Sequence, residues 1–92
     1  MKRADILDTA KEYVTKDRAA SHGDMECNFG RIAALWTIQL ADRLDGPVKA
    51  SDVALMMALL KVARACSNPA HLDNWIDLAG YAACGGELMT PE

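Results

Sequence analysis

The sequence predicts an all-α fold, a compact four-helix, bundle-like domain. Three observations carry this. Apolar residues recur at helical spacing in four separate segments. Ala, Leu and Met outnumber β-branched and aromatic residues, the palette of helices packed through small and flexible side chains. Each segment is closed by turn chemistry built on Gly, Pro or Asn. The chain has 92 residues, of which 51% are hydrophobic and 25% charged, with three prolines. A chain of this length buries only roughly two-thirds of its unfolded surface and supports one core, so residues 1–92 read as a single domain.

The first helix spans residues 4–17, with Ile6, Leu7, Ala10, Tyr13 and Val14 on one stripe and Lys11, Glu12, Lys16 and Asp17 on the other. A polar, Gly-containing stretch follows, in which Asp24 is placed to cap the next helix. That helix covers 27–44, with Phe29, Ile32, Ala33, Trp36 and Leu40 facing the core. Asp45-Gly46-Pro47 forms a turn.

Ser51 is expected to cap a third helix, 52–66, with Asp52 set against the positive end of its dipole. From Val53 to Leu60 this helix has no polar residue and is apolar nearly all round. A small domain cannot cover every side of it, so the sequence predicts a homo-oligomer, dimer or tetramer, assembled through this helix. Asn68 and Pro69 then open a fourth helix, 69–84. Trp75, Ile76, Leu78, Ala79, Ala82 and Ala83 supply its packing positions, Gly80 allows another helix to approach, and Gly85-Gly86 ends it before a loose tail.

Composition narrows the function. The formal net charge is −3 and the pI about 5.2, which leaves no positive field to neutralise duplex DNA. A helix-turn-helix reading of helices two and three fails on the same ground. Cys27, Cys66 and Cys84 are odd in number and lack CxxC spacing, so they read as reduced thiols. No sustained apolar stretch marks a signal peptide or membrane span, and the expected location is the cytoplasm, that of a host if the chain is phage-encoded.

Candidate chemistry gathers on the last two helices. Asp73 and Asp77 are four apart and project from one face, a spacing that lets two carboxylates share a divalent cation, Mg²⁺ or Mn²⁺. Tyr81 continues that face. Lys61 and Arg64 share a face of the preceding helix and could neutralise substrate phosphates across the bundle, or form plain ion pairs with the two Asp residues. His22 beside Asp24 offers an imidazole and a carboxylate for general base catalysis, although a loop with a cap is the plainer reading. Asn28 could contact a nucleobase, and Glu26 could add a metal ligand. Trp36, Met56 and Met57 read as core or interface.

Ser21-His22-Gly23-Asp24, Asn28-Phe29, Ile32-Ala33-Ala34-Leu35-Trp36, Asp52 to Met57, Leu60 to Arg64 and Asp73 to Tyr81 together resemble a group of small phage and prophage proteins of unassigned function. The resemblance runs over roughly residues 18–87. That group is in turn similar to the MazG-like all-α nucleotide pyrophosphohydrolases, four-helix-based oligomers that hold Mg²⁺ with acidic residues on two helices. The resemblance implies a metal-dependent pyrophosphohydrolase acting on a (deoxy)nucleoside triphosphate. In it Asp73, Asp77 and Glu26 bind metal, His22 and Asp24 serve catalysis, and Asn28, Lys61, Arg64 and Tyr81 bind substrate. The pattern departs from those enzymes, which carry ExxE on one helix and ExxD on the next. Here the second helix has only Glu26 near its start, and the later pair is spaced by four. The alternative is a non-catalytic nucleotide- or protein-binding phage accessory protein with a degenerate metal site.

Overall fold

The structure, a computed structural model, describes residues 1–17 and 24–90. Among these residues there are four α-helices and no strand. They are α1 (Arg3–Glu12), α2 (Met25–Gln39), α3 (Ala50–Ser67) and α4 (Leu72–Met89). A π-helical turn, Tyr13–Asp17, continues α1, and a 3₁₀ turn, Ala41–Arg43, follows α2. α3 and α4 pack against each other most extensively, α2 lies on α3, and α1 lies on α4. No helix is long and apolar enough to cross a membrane.

Three helices start on the same device, a carboxylate that accepts an otherwise unpaired backbone N–H. Asp5 accepts from Lys2 N at 3.1 Å, Asp24 from Cys27 N at 3.1 Å, and Asp52 from Lys49 N at 2.9 Å. The Asp24 cap is as the sequence predicts, though α2 begins at Met25 and not at 27. Ser51 is not a cap. Asp52 sits at the third helical position and reaches back to Lys49, so α3 opens two residues earlier, at Ala50. Thr37 ties the α2–α3 connection down: its hydroxyl donates to Ala33 O at 2.7 Å and accepts Val48 N–H at 2.8 Å.

The start of the fourth helix also differs from expectation. Asn68 caps the end of α3, its N–H reaching Arg64 O at 2.9 Å, and residues 68–71 form a turn. The Trp75 indole N–H donates to Pro69 O at 2.8 Å and clamps that turn. Trp75, expected at a packing position, is consequently exposed. A polar tip that finds a partner at the surface outweighs the burial of one ring edge.

The core is built from Phe29, Ala33, Val53 and Ala54, with Met25, Ile32, Trp36, Met57, Tyr81, Cys84 and Leu88 packed around them. Trp36 is core, as its register requires. Small residues set the helix spacing. A Cβ on Gly80 would stand 3.0 Å from Val14 Cγ1, so α1 and its π-helical turn lie close against α4 there. A Cβ on Gly85 would stand 3.2 Å from Ala54 Cβ, where α3 and α4 approach. This corrects the predicted end of the last helix. Gly85-Gly86 is interior, and α4 runs on to Met89, closed by Thr90, whose N–H and hydroxyl both donate to Gly86 O. Favourable packing along this stretch outweighs the roughly 1 kcal/mol propensity penalty of each glycine.

The two glycines should therefore respond in opposite ways. Gly85→Val, forced against Ala54, should lower stability by about 1–3 kcal/mol. Gly86→Ala, with nothing within 4 Å of the added Cβ, should raise it by about 0.5–1 kcal/mol. Urea unfolding followed by circular dichroism measures both.

Candidate functional site

The Lys61 ammonium meets the Asp77 carboxylate at 2.9 Å between α3 and α4, with the two side chains 12% and 11% exposed. This is the interhelical contact that the alternative reading of the acidic pair anticipates. It also divides the predicted site. Asp77 lines two separate cavities, and Lys61 lines one of them.

The larger cavity is a cleft of about 630 Å³ between the start of α2, α4 and the π-helical turn. Its floor is apolar, supplied by Val14, Phe29, Ile32, Met57 and Ile76. Phe29 and Tyr81 face each other within it, ring centroids 6.2 Å apart and planes tilted by 34°. The widened turn aims Tyr13, Val14 and Thr15 at this space, and the Thr15 hydroxyl bonds back to Lys11 O at 2.6 Å. Polar groups gather on the walls: Asp24, Glu26 and Asn28 from α2 and its cap, and Asp77, Tyr81 and Glu87 from α4. Among the described residues no Lys or Arg lines this cleft.

The structure thus brings five of the predicted residues to one cavity: Asp24, Glu26, Asn28, Asp77 and Tyr81. Asp73, Lys61 and Arg64 line the other cavity, a groove along α3 and α4, which Asp77 also borders. His22 lies outside the described residues. Glu87 escaped the sequence reading. It lies ten residues beyond Asp77 on the stripe Asp77-Tyr81-Cys84-Glu87, which is visible only when the helix is carried past Gly85-Gly86.

A divalent cation can be tested against this donor set. Carboxylate oxygens are the right ligands for Mg²⁺. Among the described residues, however, no three His, Cys, Asp or Glu side chains form one ion's shell. Asp24 already caps α2, and Asp77 already holds Lys61. The walls therefore do not make an all-protein cage. They fit a cation held by one or two carboxylates whose other ligands come with a substrate, as is common for Mg²⁺.

Asp24 has a second effect. Its carboxylate accepts a hydrogen bond from the Cys27 thiol and adds negative charge beside it, and together these push the exposed thiol above its ordinary pKa. The reactive thiolate is therefore scarcer at mildly alkaline pH than for an ordinary cysteine. Asp24→Asn keeps a capping oxygen but removes the charge, so Cys27 should deprotonate at lower pH. Alkylation of Cys27 at pH 8, followed by peptide mass spectrometry, should become several-fold faster in the variant while Cys66 is unchanged.

Comparison with known proteins agrees with the phage resemblance. The chain is 41% identical over 87 residues to the Gene 55 protein of Mycobacterium phage L5, covering 95% of this chain and 54% of that protein. It is 34% identical over 79 residues to the Gene 55 protein of Mycobacterium phage D29, covering 86% of this chain and 50% of that protein. The chain thus spans about half the length of these curated relatives. No solved structure matches it. Residues 5–89 match the family model described as "Domain of unknown function (DUF6378)", and the chain belongs to that family.

Proposed function

We propose that this chain is a self-associating phage-type accessory module that binds a magnesium nucleotide in the cleft between α2 and α4 and acts as a binder rather than a pyrophosphohydrolase. The observation that carries the reading is the cleft's polarity, an apolar floor with an aromatic pair beneath walls of carboxylates. Its volume and its few convergent polar groups are those of a small-molecule site. Phe29 and Tyr81 offer an apolar surface for a base, and Asn28 offers both a donor and an acceptor. Asp24, Glu26 and Glu87, with no lysine or arginine among the described lining residues, repel a bare phosphate chain. A bound Mg²⁺ supplies the positive charge that reconciles phosphates with these walls. Glu26 is the residue to hold it, since Asp24 caps α2 and Asp77 holds Lys61.

Two observations favour binding over hydrolysis. Asp24 and Asp77 are both engaged in structural contacts, and no three ligating side chains converge among the described residues. The host cytoplasm, where nucleotides and Mg²⁺ are abundant, is the compartment this reading requires. The self-association rests on α3. Leu55, Met56, Leu59, Leu60 and Val62 stay exposed along it, and Leu35 and Ile38 of α2 are exposed as well. Contiguous apolar surface of this kind marks an interface.

Calorimetry with ATP and dATP should give saturable binding that needs Mg²⁺ and weakens at least ~tenfold in Glu26→Gln. Chromatography should recover the nucleotide intact. Binding that is absent, or indifferent to Mg²⁺, contradicts the cleft reading. Pyrophosphate released by the wild type and lost in Asp77→Asn would transfer the assignment to the enzyme. For the assembly, light scattering at micromolar concentration should give a multiple of the 10.0 kDa chain mass, reduced to that mass by Leu55→Glu with Leu59→Glu. A monomeric wild type contradicts it.

A further inference from the structure

The groove that Lys61 and Asp77 both border has a chemistry of its own. It is an open surface groove of about 530 Å³ between the C-terminal half of α3 and the start of α4. Asn74 lies at its base. This residue is 4% exposed, the one buried polar residue among those described, yet its side chain lines the groove. Among the described residues its amide makes no hydrogen bond. Among the described residues no fully enclosed side-chain N or O atom is left without a partner, so the amide reaches the groove and is not sealed in the core. With no protein partner among the described residues, the amide is left to pair with water or with a ligand in the groove.

The charges of the groove select what could answer that amide. Lys61 and Asp77 neutralise each other at 2.9 Å. Arg64 and Asp73 contribute one formal charge of each sign. The groove is therefore balanced, and neither a phosphate chain nor a bare cation gains net attraction there. The Asn74 amide presents one acceptor oxygen beside an NH₂ donor, which pairs with a partner carrying the complementary donor and acceptor side by side. Nucleobases carry such an edge, and so do primary carboxamides.

We propose that this groove is a second ligand site, in which Asn74 pairs with the donor–acceptor edge of a neutral small molecule, a nucleobase or a carboxamide. The site goes beyond the magnesium-nucleotide cleft, since it needs neither phosphate nor metal. Its test can be run with a chelator present, which makes its failure separable from failure of the cleft.

The ¹⁵N-labelled chain is titrated with adenosine, cytidine and nicotinamide, following the side-chain NH₂ signals of Asn74. Saturable shifts of these signals are expected with at least one probe. Nucleosides alone would assign a base, and nicotinamide as well would assign the carboxamide edge. Asn74→Leu should bind at least ~tenfold more weakly. Asn74→Asp, which keeps an acceptor and loses the donor, is the second variant should the first misfold. Asn74 signals that stay fixed with all three probes at millimolar concentration, in a folded protein, would overturn the proposal. So would undiminished binding by a folded variant.

Discussion

The ion pair between Lys61 and Asp77 is the contact on which the arrangement of this fold depends. It joins the two most extensively packed helices at a point where both side chains are nearly out of water. Two charges placed there must satisfy each other, because either one alone would carry a desolvation penalty of several kcal/mol. We take the pair to set the register of α3 against α4 more than to add stability. Its Asp77 borders two cavities of different character, one rimmed by carboxylates and one balanced in charge.

Below that pair, small residues let the helices close up. Ala54 and Gly85 meet where α3 and α4 approach, and Val14 fits over Gly80 where α1 crosses. Such close packing uses little of the apolar surface α3 offers. Val53, Ala54 and Ala65 are buried, while the large residues Leu55 and Leu59 are 63% and 66% exposed. The core takes Val53, Ala54, Met57 and Ala65 from α3, while Leu55 and Leu59 of the same helix face out. An assembly that covers the outer face would complete the hydrophobic burial that a chain of this length leaves unfinished.

Much of this architecture is legible in the sequence, because periodicity and caps are local signals. The Asp24 cap, the core position of Trp36 and the close approach at Gly80 follow from spacing and side-chain chemistry, as does the buried position of Ala10 on the first helix, whereas Leu7, read on the same stripe, is exposed. Tertiary choices are less legible. Gly85-Gly86 reads as a stop, and only the proximity of Ala54 makes it a packing position. Trp75 reads as core, and only the nearby Pro69 carbonyl holds it at the surface. Asp73 and Asp77 read as one ligating pair, yet residues four apart on a helix still differ by about 40° in direction. That rotation is enough for Asp77 to border both cavities while Asp73 borders one. Asn74 carries no sequence signal at all, since its interest lies in being buried without a partner.

The measurement that bears most directly on this account is a double-mutant cycle on Lys61 and Asp77, read by urea unfolding. If the pair fixes α3 against α4 out of water, Lys61→Met alone should cost about 3 kcal/mol by stranding a buried carboxylate, and Lys61→Met with Asp77→Leu should recover most of that loss. A single-variant cost below about 0.5 kcal/mol, the scale of a solvated surface pair, would show that the helices hold their register without it.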